Sequence, residues 1–144
     1  MILFCDCEFN SLGGKLISLA LVSEDGQREF YEVLDVQDTI DPWVQKNVMP
    51  YLEKAPVTYA EFQSKLRAFL KQFPKVHVMA DYPIDIMHLC QCLETGPGDW
   101  MEIQPITFEI LEELSGKASK VPHNALHDSR AIRDSWLALE GAVD

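Results

Sequence analysis

The sequence opens on an apolar run that acids interrupt at alternate positions, Ile2-Leu3-Phe4-Cys5-Asp6-Cys7-Glu8. A short, almost wholly apolar segment over residues 2–7 predicts a strand buried in a sheet. Strands have a period of two, so Asp6 and Glu8 share one face, roughly 7 Å apart along the chain. Two unpaired carboxylates are costly to bury. A hard divalent cation, which takes oxygen ligands, would offset that cost. A strand end reaching solvent would tolerate both acids without one, so the pair alone leaves both readings open.

The rest of the chain predicts what surrounds this strand. Residues 16–22 read as a second strand and 28–34 as a third, joined at the turn signal Asp25-Gly26, which predicts an antiparallel meander. Asp41-Pro42 opens a helix that ends near Val48, ahead of Pro50. Thr58-Tyr59-Ala60-Glu61 is a capping box, and Phe62, Leu66, Phe69, Leu70 and Phe73 form the apolar stripe of the helix it starts. Residues 76–80 read as a short buried strand and 84–93 as a helix. The Gly- and Pro-rich stretch 95–105 reads as loop, 106–114 as helical or partly so, and 115–122 as a polar linker. Residues 125–139 read as a final amphipathic helix burying Leu126, Ile132, Trp136 and Leu139. This order implies an α/β fold, a mixed sheet with helices on its faces.

Size and charge bound the function. The chain has 144 residues, 47% of them hydrophobic, and reads as one domain over residues 1–144. No run approaches the ~20 apolar residues of a membrane span. Asp6 and Glu8 break the first apolar run, so no secretory signal and a cytoplasmic location are expected. A net charge of −11 argues against a binder of long duplexes, which usually carries a basic footprint. It is compatible with an acidic pocket filled by cations and with a short strand end that needs few phosphate contacts. Cys5, Cys7, Cys90 and Cys92 form two Cys-x-Cys pairs. Zinc sites more commonly use Cys-x₂-Cys, so buried reduced thiols are expected.

Two further blocks carry acids at element boundaries. Ala80-Asp81-Tyr82-Pro83-Ile84-Asp85 follows the buried strand, where ligands of open α/β sheets gather. Each Asp there could equally serve the start of a helix. His123-Asn124-Ala125-Leu126-His127-Asp128 runs from the linker into the last helix, where Asn124 could cap and Asp128 stand solvated in the first turn. Together the blocks supply four carboxylates and a histidine. Phosphodiester cleavage with two cations about 3.5–4 Å apart needs such a set. A histidine that exchanges its proton near neutral pH supplies the base.

The order Asp-x-Glu, an Asp behind a buried strand, then His-x₄-Asp resembles the DEDDh branch of the DEDD exonuclease superfamily. Residues 16–22 and 42–48 resemble a compact bacterial and phage branch of 3′–5′ exoribonuclease-like proteins. The resemblance implies a ribonuclease H-like fold, a three-stranded antiparallel meander with parallel strands beside it. It implies two divalent cations, Mg²⁺ or Mn²⁺, on Asp6, Glu8, Asp85 and Asp128, with His123 rather than His127 as the base. The second block departs from the usual His-Asn-Ala-x-Phe-Asp, leaving Asp81 as a competitor for Asp85, which is favoured by its apolar neighbours Ile84 and Ile86. Phe9 and Asn10 would approach the terminal nucleotide, with core packing the alternative for Phe9. Trp43 and Tyr82 are further stacking candidates, with core or rim packing the more natural role for Trp43. The implied activity is release of nucleoside 5′-monophosphates from single-stranded RNA ends or 3′ overhangs, with no membrane partner. A DNA substrate and a non-catalytic module binding RNA or protein are the alternatives. A homodimer through Trp100, Trp136 and the last helix, or simple packing of these residues, is left open.

Overall fold

The computed structural model describes residues 1–143. The acid-bearing run is strand β1, Ile2–Phe9, followed by β2, Leu16–Ser23, and β3, Glu29–Val33. They pair antiparallel as the expected meander, with Cys5 opposite Leu21 and Ala20 opposite Tyr31. Gly26 supplies the positive φ of 72° at the β2–β3 turn, a conformation that costs a glycine little. β4, Val76–Ala80, joins β1 in parallel, and β7, Ile106–Ile110, joins β4 in parallel. The result is a mixed five-stranded sheet of order β3-β2-β1-β4-β7.

Period-two alternation sorts the sheet's faces. Leu3, Cys5, Cys7, Leu19, Leu21, Phe30 and Val78 form one core. It is covered by α2, Tyr59–Leu70, and α3, Pro83–Cys92. Phe62, Leu66, Phe69 and Leu70 of α2 are buried as its stripe predicts. Thr58 caps it by accepting from the Glu61 N–H at 3.2 Å, while the Glu61 carboxylate turns to Lys65 instead of closing the box. Phe4 and Met79 point to the other face, where Ile132 of α4, Ala125–Val143, covers them. Arg133 donates to the Glu24 carbonyl at 2.8 Å and Arg130 makes a paired contact with Glu29 at 2.6 and 2.8 Å, fixing α4 across β2 and β3. A short helix α1, Pro42–Asn47, starts at Asp41, whose carboxylate accepts from the Trp43 N–H, and runs into a 3₁₀ turn at Met49–Tyr51.

Three expectations are corrected. Residues 106–110 form strand β7, not a helix: Ile106, Phe108 and Ile110 alternate with Thr107 and Glu109 at a strand's period of two, and the open edge beyond β4 pairs their backbone. The 95–105 stretch is not all loop, since β5, Glu94–Gly96, and β6, Asp99–Trp100, form a small hairpin turning at Gly98 with φ 76°. Leu139 is 42% exposed, because α4 has run past the sheet by that point, whereas Trp136 packs on Phe4 with ring centroids 5.5 Å apart. Trp136 is thereby committed to the core, and Trp100 alone of that pair is exposed. The four cysteines are free thiols; Cys5, Cys7 and Cys92 are buried and Cys90 half-buried. Among the described residues no helix is long and apolar enough to cross a membrane.

Candidate functional site

The sheet's own alternation places Asp6 and Glu8. Cys5 and Cys7 enter the α2–α3 core, so Asp6 between them and Glu8 after them project toward the face covered by α4. β4 accompanies β1 only as far as Phe4 opposite Met79. Past that point the two strands part, and a cleft of about 330 Å³ opens between their ends. Asp6, Glu8, Phe9, Asp81, Tyr82, Asp85, Trp43, His123 and Asp128 all line it, and no Lys or Arg does.

Each acid arrives from a different element. Asp85 sits in the first turn of α3 and is 3% exposed. Its carboxylate accepts from the Cys7 N–H at 3.2 Å, on the edge of β1 that β4 has left. This bond ties the start of α3 to the end of β1 and satisfies a backbone donor that would otherwise be orphaned. Asp81 directly follows the last residue of β4 and is half-buried. Asp128 lies one turn into α4. Asn124 sets that turn: its side-chain oxygen accepts from the N–H groups of Leu126 and His127 at 3.0 and 3.1 Å. Its amide donates to the Tyr51 and Leu52 carbonyls at 2.8 and 3.3 Å. One buried side chain thus caps α4 and locks it to the segment after α1.

The carboxylates converge as two triads. Oxygens of Asp6, Asp81 and Asp85 lie within 4.8 Å of one another, as do those of Asp6, Glu8 and Asp128. Asp6 belongs to both. Its Oδ2 is buried and has no hydrogen-bond partner among the described residues. A buried, unpartnered carboxylate oxygen between two sets of acids is electrostatically unfavourable unless a cation or a proton joins it. Without a cation the site holds protons. Burial first, then repulsion by Asp85, Glu8, Asp128 and Asp81, pushes the Asp6 carboxyl well above its ordinary range. Burial, with Asp128 and Asp85 nearby, raises Glu8 to about 9. Burial and Asp81 raise Asp85 to about 8, against the lowering effect of the Cys7 N–H. Asp128 and Asp81 are also raised, chiefly by burial.

His123 precedes α4 on an exposed loop with φ 67°, a left-handed conformation that is uncommon for a residue with a side chain. Its ring stands edge-on to Trp43, centroids 5.1 Å apart. His127 points elsewhere, to Glu53 at 3.3 Å, and takes no part in the cleft. Phe9 both lines the cleft and packs against the core, stacked on His88 at 5.0 Å. Asn10 is not on the cleft wall. Its amide donates to the Thr39 carbonyl at 3.0 Å and its oxygen accepts from the Asp41 N–H at 2.8 Å, which secures the approach to α1.

The structure therefore brings together Asp6, Glu8, Phe9, Asp85, His123 and Asp128, and leaves Asn10 in a supporting position. It also brings in Asp81, against the preference for Asp85 alone, because strand end and helix start face the same gap. Trp43, expected in the core or at the rim, is 54% exposed and packs at the rim, where it forms a wall of the cleft with His123. Ser11 is a lining residue that no sequence pattern marked. His88 could have been found, since it lies three positions after Asp85 on α3 and so on nearly the same helix face. A larger groove of about 690 Å³ lies beyond the Phe9–His88 stack, lined by Leu16, Leu34, Met87 and Gln91 among others, and it holds no cluster of acids. The chemistry-bearing groups belong to the smaller cleft. The sequence matches no protein-family profile and no characterised protein.

Proposed function

We propose that this chain is a 3′–5′ exonuclease of DEDDh type, releasing nucleoside 5′-monophosphates from single-stranded RNA ends or 3′ overhangs with two divalent cations, Mg²⁺ or Mn²⁺. The observation that carries this reading is Asp6: an unpartnered buried carboxylate oxygen shared by two acid triads, with His123 on the same cleft wall. The sheet supports it, being an antiparallel meander with two parallel strands beside it, as a ribonuclease H-like domain requires.

The residues fit the implied cations. Asp6, Glu8 and Asp128 form one set of oxygen ligands; Asp6 and Asp85, with Asp81, form the other. Oxygen-only donors suit Mg²⁺ and Mn²⁺. When bound, the cations would stabilise charge on the attacking and leaving oxygens of the phosphodiester. The protein's own groups do the rest. Among the described residues the cleft is lined by no Lys or Arg, so no permanently charged cationic side chain meets a phosphate there. His123, on an exposed loop, accepts the proton of the attacking water. Trp43 holds its ring edge-on and limits its rotation. Phe9, backed by His88, offers a face on which the terminal base stacks, worth about 1–3 kcal/mol per base.

The test is 3′-labelled and 5′-labelled RNA oligomers incubated with Mn²⁺. Monophosphate should be released stepwise from the 3′ end, stop in EDTA, and fall to background in Asp6→Asn. EDTA-insensitive release, or full activity in that variant, would overturn the proposal. Matched DNA oligomers in the same assay read the sugar preference.

A further inference from the structure

We propose that β7 is a self-pairing edge, and that two copies of this chain join there, antiparallel about a two-fold axis at Phe108, into one continuous sheet. β7 ends the sheet order, with β4 on one side only. The Leu111 N–H donates to the Ala80 carbonyl at 2.9 Å. Backbone direction alternates along a strand, so Thr107 and Glu109 face β4 while the N–H and C=O groups of Ile106, Phe108 and Ile110 face outward. An outward row of this kind is a pairing template. Proteins usually blunt such edges with Lys, Pro, Gly bulges or a covering segment. Residues 106–110, Ile-Thr-Phe-Glu-Ile, contain none of these residues. The one charge, Glu109, is engaged by His77 at 3.1 Å. Phe108 and Ile110 are 37% and 43% exposed.

The segment is close to a palindrome, and this identifies the occupant. An antiparallel copy centred on Phe108 sets Ile106 against Ile110 of the second copy, Phe108 against Phe108, and Thr107 against Glu109. Every apolar side chain meets an apolar one on one face, and no like charges meet on the other. The outward-facing residues are also the ones that register requires to exchange hydrogen bonds. A two-fold interface demands this self-complementarity. Because the second copy runs antiparallel, the two acidic clefts, at the strand ends of β1 and β4, lie at opposite ends of the joined sheet and stay open.

Sedimentation equilibrium of the full chain should show reversible association to twice the 16.4 kDa chain mass. Phe108→Lys, which sets two like charges opposite each other, should weaken it at least ~10-fold. Thr107→Lys, one position away, should leave association intact, since it meets Glu109 of the second copy. A wild-type chain that stays monomeric into the submillimolar range overturns the proposal, as do equal effects of the two substitutions. Amide exchange of Ile106, Phe108 and Ile110 in the unaltered chain gives an answer that no folding defect can blur. It should slow as protein concentration rises, and concentration-independent exchange overturns the proposal.

Discussion

At the scale of single residues, Asp6 has the largest consequences. Its carboxylate is held among four others, so the cleft gathers unfavourable charge that protons or cations relieve. Asp6→Asn removes that repulsion and should stabilise the cation-free protein by about 1–2 kcal/mol, as replacements at strained sites commonly do. Thermal melts in EDTA at neutral pH read this, and a destabilised variant would contradict the electrostatic account. His123 makes the opposite kind of contribution. It is exposed and ligates none of the acid set, so His123→Ala should leave Mn²⁺ affinity unchanged while lowering kcat by about 10²–10⁴-fold. A variant defective in metal binding alone would remove it from the role of base. The sequence marked both residues as site candidates. It favoured Asp85 over Asp81 by the apolar neighbours Ile84 and Ile86, but whether Asp81 joins the same cleft depends on the relative placement of a strand end and a helix start.

At the scale of elements, α4 and its cap decide whether the site assembles. Asn124 is 1% exposed and bonds both the helix start and the carbonyls of Tyr51 and Leu52. Asn124→Ala loses a cap and leaves buried carbonyls unpaired, a loss of about 2–4 kcal/mol. Because His123 and Asp128 flank it, activity at permissive temperature should fall too. Denaturant melts and turnover measured together check this: stability lost without loss of activity would show that the cap does not position the site. The capping role of Asn124 was legible from its place before an amphipathic run. Its second set of bonds was not, since Tyr51 and Leu52 are more than seventy positions away in the chain. The same distance explains β7. Ile106, Phe108 and Ile110 alternate with Thr107 and Glu109 as a strand's residues do, but over five positions only, and the open edge of β4 made the choice.

At the scale of the whole molecule, the raised carboxyls make stability depend on pH. Glu8 is raised to about 9 and Asp85 to about 8, while an unfolded chain ionises such groups near ~4. Below that range both states are protonated and nothing is lost. As pH rises through it, the unfolded state releases protons that the folded state still holds, so folding stability falls until the folded groups ionise near pH 8–9. Melts in EDTA should therefore show Tm declining from pH 5 to pH 9. Mn²⁺ should reverse the decline, with the largest rise at alkaline pH, where protons no longer compete for the carboxylates. A Tm that is flat across this range, or a metal effect largest at low pH, would falsify the shared-site reading. The net charge of −11 adds a general repulsion of the same sign, which salt should screen and divalent cations should relieve beyond salt.

The sequence by itself determined the parts that depend on local period and local chemistry. Alternation put Asp6 and Glu8 on one strand face. Asp25-Gly26 set the meander, and Thr58 and Asn124 set the starts of their helices. Those signals are short-range, because a strand's pleat and a helix's unsatisfied N–H groups act within a few residues. Tertiary structure decided what sits across a gap. It parted β1 from β4 beyond Phe4, turned the Asp85 carboxylate onto the Cys7 N–H, and brought Asp81 in beside it. It also drew Asn10 away to the loop before α1 and left β7 at an open edge. Each outcome depends on which backbone groups remain unpaired once the sheet has formed, and that is a property of the assembled sheet.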